Sequence, residues 1–341
     1  RDGSGPRMNV LITGGAGFVG LNLAECLLAR GDTVTLLDVA SPPSPALEWL
    51  RALRGTLHVA QADVRDATAL VDAMLRHQPG CVIHGAAMTT GAERERTQAA
   101  AIFDVNLHGT LNALAAASRA GVGRFVQLSS GSVYGAGAHT QTELIEDRDV
   151  PQPESLYAIT KYAAERAALR HRALHGLDVV VARLGVVFGR WEYDTGVRDT
   201  LSPPLLLARL ARAGLAARLR TGLPDDWIYA RDAAEAVVAL ADATHLSYAL
   251  YQVGTGRRWS PRAWCDLLRD AYPEFDYAFV TPAQESNVGG QSPPARPPFS
   301  VERLKQDTGF RARFDDGRAF FDWMNWRAQL HALSSEARQL F

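Results

Sequence analysis

Lysine is almost absent from this chain. Of its 36 basic residues only Lys161 and Lys305 are lysines. This is the arginine preference of a GC-rich genome, and it makes a lysine inside a motif more informative. Cysteine is scarce as well. Cys26, Cys81 and Cys265 are scattered, odd in number and form no CxxC pair, so neither a disulfide framework nor a zinc site is implied and no metal is expected. A net charge of −1 over 341 residues supplies no basic field for nucleic acid or an anionic membrane. No apolar run approaches the roughly 18 residues of a membrane-spanning helix. With 47% hydrophobic and 21% charged residues, the composition argues against a disordered or fibrous chain. The polar stretch Arg1 to Arg7 reads as an expression scar, with Met8 as the native start and no signal peptide before it. The expected location is therefore cytoplasmic.

What is present is an alternation of short apolar runs with helical spacing. Asn9–Thr13 reads as a buried strand, and Thr33–Asp38, Leu57–Ala62, Cys81–His84, Phe125–Ser129 and Val179–Arg183 read as further strands. Helices are expected over Gly17–Arg30, about 67–77, about 99–120 and about 156–175. Such alternation predicts an α/β protein with a doubly wound parallel sheet. After Arg183 the pattern weakens and prolines accumulate. The expected layout is a dinucleotide-binding domain over 8–182, completed by returning segments at about 225–256 (Trp227–Leu240 and Tyr251–Gly254). A smaller substrate-binding region takes 183–224 and 257–341. Gly289–Pro298 reads as a loop.

Between the first strand and the first helix lies Thr13-Gly14-Gly15-Ala16-Gly17-Phe18-Val19-Gly20. Glycines 14, 17 and 20 supply a tight turn, close backbone approach to a pyrophosphate and close helix–sheet packing. The helix N-terminus, with Phe18 and Val19 in its first turn, offers N–H groups to phosphate. Asp38 ends the second strand, where a carboxylate bonds the adenosine ribose hydroxyls and repels a 2′-phosphate. Val39 and Ala40 bring no arginine to offset it, so NAD is favoured over NADP.

Tyr157 and Lys161 are four apart on a predicted helix and share a face. An ammonium beside a phenol is expected to lower the tyrosine pKa, fitting it to take a proton from a carbinol. Ser129-Ser130-Gly131-Ser132 closes the fifth strand, where ligands bind in such sheets. A hydroxyl there can hold the substrate oxygen against the tyrosine; the alternative is a serine-rich strand cap. His84, at a strand end, reads as structural.

Taken together, TGGAGFVG (13–20), Asp38, Ala62–Asp66, His84–Ala87, Asn106 in AsnLeuHisGlyThr, SerSerGlySerValTyrGly (129–135), TyrAlaIleThrLys (157–161) and TyrGlnValGlyThrGly (251–256) resemble an extended short-chain dehydrogenase/reductase of the NAD-dependent epimerase/dehydratase type. The resemblance implies a Rossmann-like fold and NAD as cofactor. It also implies Asp63 and Val64 at the adenine and Gly85, Ala86 and Ala87 along the phosphate–ribose side. Asn106 falls near the nicotinamide, with Gly185 at the end of the sixth strand also facing the cofactor. By the same resemblance Ser130, Tyr157 and Lys161 are catalytic, and Lys161 also holds the nicotinamide ribose. Asn106 has a second reading, as an asparagine bonding neighbouring backbone.

Several departures narrow the chemistry. Family dehydratases resemble Thr-Asp-Glu where this chain has Ser130-Gly131-Ser132, so dehydration lacks its acid. Decarboxylases place a glutamate at Ser132. Nucleotide-sugar enzymes carry a diphosphate-binding asparagine where Val186 stands and an arginine where Asp225 stands. Arg296 survives at the family's other phosphate-side position, and Arg198 can assist it. Segment 191–199 either lines the substrate pocket or is a solvated loop. The reading that follows is an NAD-dependent oxidoreductase acting on a secondary carbinol of a sugar-derived or polyol-like small molecule. Ser130, Ser132, Tyr157, Arg198 and Arg296 are its expected substrate contacts, and UDP or dTDP is expected to bind poorly. The alternatives are a nucleotide-sugar epimerase that recycles NAD and, less favoured, a silent NAD-binding sensor. Alanines on more than one face of the helices at 99–120 and 156–175 suggest a homodimer.

Overall fold

Residues in β1 (Asn9–Thr13) alternate between two cores: Val10 and Ile12 enter one, Leu11 the other. A strand buried on both faces needs helices on both, and the chain supplies them. The computed structural model describes residues 7–138, 142–196, 198–220, 226–281, 286–288 and 296–340. Residues 1–6 of the proposed scar, Asp225 and most of the 289–298 loop lie outside the described residues.

After β1 the elements are α1 (Phe18–Arg30), β2 (Thr33–Asp38), α2 (Ser44–Arg51), β3 (Thr56–Gln61), α3 (Ala67–His77), β4 (Cys81–His84), α4 (Ala92–Phe103), α5 (Gly109–Arg119), β5 (Arg124–Ser130), α6 (Leu156–His175), β6 (Asp178–Leu184), β7 (Val186–Phe188), α7 (Pro203–Arg212), β8 (Ala217–Arg220), β9 (Trp227–Tyr229), α8 (Ala230–Asp242), β10 (Leu250–Val253), α9 (Pro261–Ala271), β11 (Tyr277–Val280), α10 (Glu302–Thr308), α11 (Asp316–Leu333) and α12 (Ser335–Leu340). Seven strands form one parallel sheet in the order β10-β6-β5-β4-β1-β2-β3. The order reverses between β1 and β4, so a crevice opens at their C-terminal ends. Thr13 lies opposite His84, and His84 opposite Gln127.

Two expectations change. The helix expected over 99–120 starts at Ala92 and is divided by a π-helical turn, Asp104–His108. Trp227–Tyr229 does not return to the central sheet. It pairs with β7 in a separate two-stranded sheet, while Leu250–Val253 does join the sheet beside β6. The C-terminal region packs on a fully buried aromatic group that includes Trp191, Trp227, Trp259, Trp264 and Trp326. Among the described residues no helix is long and apolar enough to cross a membrane.

Candidate active site

The glycine turn is shaped by its neighbours. Gly14 has φ +69°, and a Cβ there would stand 2.8 Å from the Ala86 nitrogen, so only glycine fits between the turn and the β4 loop. Gly85 and Ala86 are held against that turn by Gly85 N–H donating to the Thr13 carbonyl at 3.0 Å. α1 begins at Gly17 with no side-chain cap, which leaves the N–H groups of Phe18, Val19 and Gly20 for an anion. The Asp38 carboxylate accepts from Ala16 N–H at 3.0 Å, and burial pushes its pKa up. It therefore faces the turn as an acceptor, as a ribose diol requires. Asp63 is clamped by Arg65, which holds its carboxyl below the usual range. Val64 is buried, and Asn112 donates to its carbonyl at 3.1 Å, fixing the Asp63–Val64 corner to α5.

His84 is buried between two threonines, 2.7 Å from Thr13 Oγ1 and 3.1 Å from Thr110 Oγ1. Thr110 spends its proton on the Asn106 carbonyl at 2.8 Å. Nε2 of His84 must therefore carry the ring proton, and Nδ1 accepts from Thr13. Burial, with Lys161 nearby, pushes the His84 pKa down to about 3. This is a neutral, structural histidine tying the glycine turn to the π-turn. Asn106 sits in that π-turn, buried, and brackets Met88: its Oδ1 accepts from Met88 N–H at 2.7 Å and its Nδ2 donates to the Met88 carbonyl at 3.1 Å. Nδ2 also donates to Thr160 at 3.0 Å. All these partners are backbone or Thr160, so the structure shows Asn106 shaping the β4 loop.

α6 carries the reactive pair. Ser155 caps it, accepting from Ala158 N–H at 3.1 Å, and Glu95 of α4 accepts from Leu156 N–H at 2.8 Å. These caps fix Tyr157 at the C-terminal edge of β5. Its hydroxyl faces those of Ser130 and Thr89, which favour its charged form. Ser130 Oγ accepts from both the N–H and the O–H of Ser132, at 3.2 and 3.0 Å. With its acceptor sites so engaged, Ser130 keeps its own proton for donation. The expected effect of Lys161 on Tyr157 is corrected here. Burial pushes the Tyr157 pKa up, and Ser130, Thr89 and the Arg198 charge pull it down. Lys161 is not among these influences, and its Nζ donates to the Leu128 carbonyl, beneath the serine turn. Burial lowers the Lys161 pKa to about 8, against the pull of Glu165.

The segment 191–199 divides: Asp194, Gly196 and Asp199 are exposed, and its first three residues are not. Trp191, Glu192 and Tyr193 are buried. Tyr193 O–H donates to the Ala16 carbonyl at 2.8 Å, Asn22 to the Arg190 carbonyl at 2.8 Å, and Trp191 Nε1 to Glu25 at 2.5 Å. On the far side Asp199 accepts from Gly91 N–H at 3.0 Å and pairs with Arg94 at 2.8 Å. The segment is a strap from α1 to the β4–α4 loop. Arg198 lies 4.9 Å over the Phe18 ring and is paired at 2.9 Å with buried Glu192. Arg296 lies against Gly131, over the Phe299 ring at 5.0 Å. Val186 packs into the core as the first residue of β7. Gly185 N–H donates to the Val253 carbonyl at 2.8 Å, extending the β6–β10 pairing. Ala87 is half-buried beside Ala86.

Thr89, Glu165, Glu95 and Tyr193 were not singled out by sequence. Thr89 could have been found as a hydroxyl just past a strand end, and Glu165 as a carboxylate four residues after Lys161.

Against known proteins, the sequence profile of the NAD dependent epimerase/dehydratase family matches residues 10–254, and the chain belongs to that family. It is 38% identical over 189 residues to a 3 beta-hydroxysteroid dehydrogenase/Delta 5-->4-isomerase of Mycobacterium tuberculosis, covering 54% of this chain and 48% of that one. The chain thus matches about half the length of this relative. It is 30% identical over 275 residues to a UDP-glucose 4-epimerase of Erwinia amylovora, covering 74% of this chain and 80% of that one. The solved UDP-glucose 4-epimerase of Thermus thermophilus in complex with NAD has 28% identity and a TM-score of 0.74, over 93% of this chain and 99% of that one. The Rossmann-like fold and NAD as the cofactor follow, and with them an enzyme of the NAD-dependent class.

Proposed function

We propose that the chain is an oxidoreductase that transfers hydride at a secondary carbinol of a sugar-derived or polyol-like substrate, with Tyr157 as its acid/base. The observation that carries this reading is the hydroxyl cluster at the C-terminal end of β5, where Ser132 donates to Ser130 and Ser130 faces the Tyr157 hydroxyl. Bound NAD supplies the hydride acceptor. The chain's own task is the proton. A carbinol oxygen between Ser130 and Tyr157 gives its proton to the Tyr157 phenolate, a form that Ser130, Thr89 and the Arg198 charge favour against burial. Lys161 sits beneath, its ammonium against the Leu128 carbonyl, and contributes a buried positive charge.

Gly131 and Ser132 provide no side-chain acid for elimination, which supports redox chemistry over dehydration. The similarity to a UDP-glucose 4-epimerase favours a second reading, an epimerase in which NAD is reduced and reoxidised within one turnover. Net NADH formation tests the two. Stoichiometric NADH with a polyol-type substrate is expected, and substrate inversion with no NADH release would assign epimerisation instead.

A further inference from the structure

The glycine turn, where such a fold takes a dinucleotide's pyrophosphate, supplies no full charge. Residues 13–20 contain neither lysine nor arginine. The start of α1 offers only backbone N–H groups and the positive end of the helix dipole. A pyrophosphate bears full negative charges, and a guanidinium answers them with stronger, charge-assisted hydrogen bonds.

The strap brings such a cation to the turn. Arg198 Cζ lies 4.9 Å from the ring centre of Phe18, the first residue of α1. The same residue is fixed beside the reacting centre. Its backbone bridges Thr89, and Asp199 N–H donates to the Thr89 carbonyl at 2.9 Å. Thr89 faces the Tyr157 hydroxyl, and the Arg198 charge reaches it. A dinucleotide with its pyrophosphate on the glycine turn and its reactive ring at Tyr157 must therefore pass this guanidinium.

One edge of the guanidinium is held by the protein. Nε donates to the Thr200 carbonyl at 3.0 Å, and Nη2 faces the Glu192 carboxylate at 2.9 Å. Glu192 is buried and is itself fixed by the N–H and O–H of Ser202, at 2.7 and 2.6 Å. The other edge is open. Nη1 makes no hydrogen bond among the described residues, and the side chain keeps 19% of its surface exposed. A guanidinium oriented in advance loses little side-chain freedom when it closes on a phosphate.

We propose that Arg198 is a cofactor-binding residue, whose Nη1 edge grips the NAD pyrophosphate from the strap while the N–H groups of Phe18, Val19 and Gly20 hold it from the turn. Its open edge then belongs to the cofactor and not, as the sequence suggests, to the substrate.

Calorimetry on the full chain without substrate tests this with NAD, ADP and adenosine. The proteins are wild type, Arg198→Lys, Arg198→Gln, and Arg198→Gln combined with Glu192→Gln. The double variant removes both members of the ion pair, so no buried carboxylate is left without its partner. NAD and ADP should each bind about 10–100-fold more weakly in the two proteins carrying Arg198→Gln, the worth of a charge-assisted hydrogen bond. Adenosine, which has no phosphate, should bind as to wild type. Arg198→Lys should lose less than Arg198→Gln. Melting temperatures without ligand check that the variants are folded.

Unchanged NAD affinity in the folded double variant would overturn the proposal and return Arg198 to the substrate or to Tyr157 alone. An equal loss for adenosine would also overturn it, because the whole pocket would then have moved. A loss for NAD without one for ADP would shift the contact to the nicotinamide half of the cofactor, and the pyrophosphate assignment would fall.

Discussion

Lys161 and Glu165 lie one turn apart on the buried face of α6, and the carboxylate that steadies the lysine's charge is itself clamped by Arg183 at 2.5 and 2.8 Å and by the Ser129 hydroxyl at 3.0 Å. Glu165 and Arg183 are almost fully buried, so neither tolerates loss of the other. Burial lowers the Lys161 pKa to about 8, and Glu165 is the group pulling it back up. The ammonium is therefore lost as pH rises through about 8. Glu165→Gln should move that alkaline limb of the activity profile to lower pH. It should also cost roughly 3–5 kcal/mol of stability, because Arg183 keeps a buried charge without its partner. The pH profile separates the two effects, since a purely structural role lowers activity without moving the limb.

Tyr157→Phe removes only a hydroxyl. Cofactor affinity should stay nearly unchanged while turnover falls roughly 10²–10⁴-fold, the usual worth of a general acid/base. Turnover within a few-fold of wild type, measured beside an NAD titration, would refute the role given to Tyr157.

His84 ties acid stability to the crevice. Its folded pKa of about 3 lies below the ordinary 6.5, so the unfolded chain takes up the proton first. Stability is complete above about pH 6.5 and is lost as pH falls from there toward 3. At pH 4.5 the loss from this one group is about 2–3 kcal/mol. His84→Asn keeps an acceptor for Thr13 but cannot take the proton, so its urea midpoint should fall less than wild type between pH 7 and 4.5. Parallel losses in both proteins would show that His84 is not the group responsible.

The dimer expected from α5 and α6 gains a more defined face. Ala113, Ala116, Ala164 and Ala168 point into the core, whereas Leu111, Ala115 and Leu174 are exposed. We expect a homodimer across this face, with Leu111→Arg giving a monomer of unchanged fold. Light scattering at micromolar concentration checks both, and a monomeric wild type would end the proposal.

The central strands were legible because a buried parallel strand is a short apolar run between turn residues; β3, at the sheet edge, is largely exposed. α2 is less visible since Pro43 and Pro45 look like breakers, yet they occupy its cap and first turn, where a missing N–H costs nothing. The π-turn at 104–108 leaves no spacing signal because one extra residue in a helix barely disturbs its periodicity. The glycine turn, Asp38 and the Tyr157–Lys161 pair were readable from local spacing. Thr89, Glu165 and Tyr193 act through contacts with residues distant in sequence or through burial, which spacing does not encode. Helical spacing likewise puts Lys161 and Tyr157 on one face but does not show that Nζ turns to the Leu128 carbonyl.

Tyr193 and Arg198, either side of the same turn of chain, tie the two halves of the reaction together. Tyr193 is tied to the carbonyl of Ala16 in the dinucleotide turn, and Arg198 lies over Phe18 on the way to Tyr157. Whatever either ligand gains by stiffening this segment is shared with the other. Linkage then requires the factor by which NAD sharpens substrate affinity to equal the factor by which substrate sharpens NAD affinity. A closed cycle of four dissociation constants measures that factor, and Tyr193→Phe should shrink it toward one.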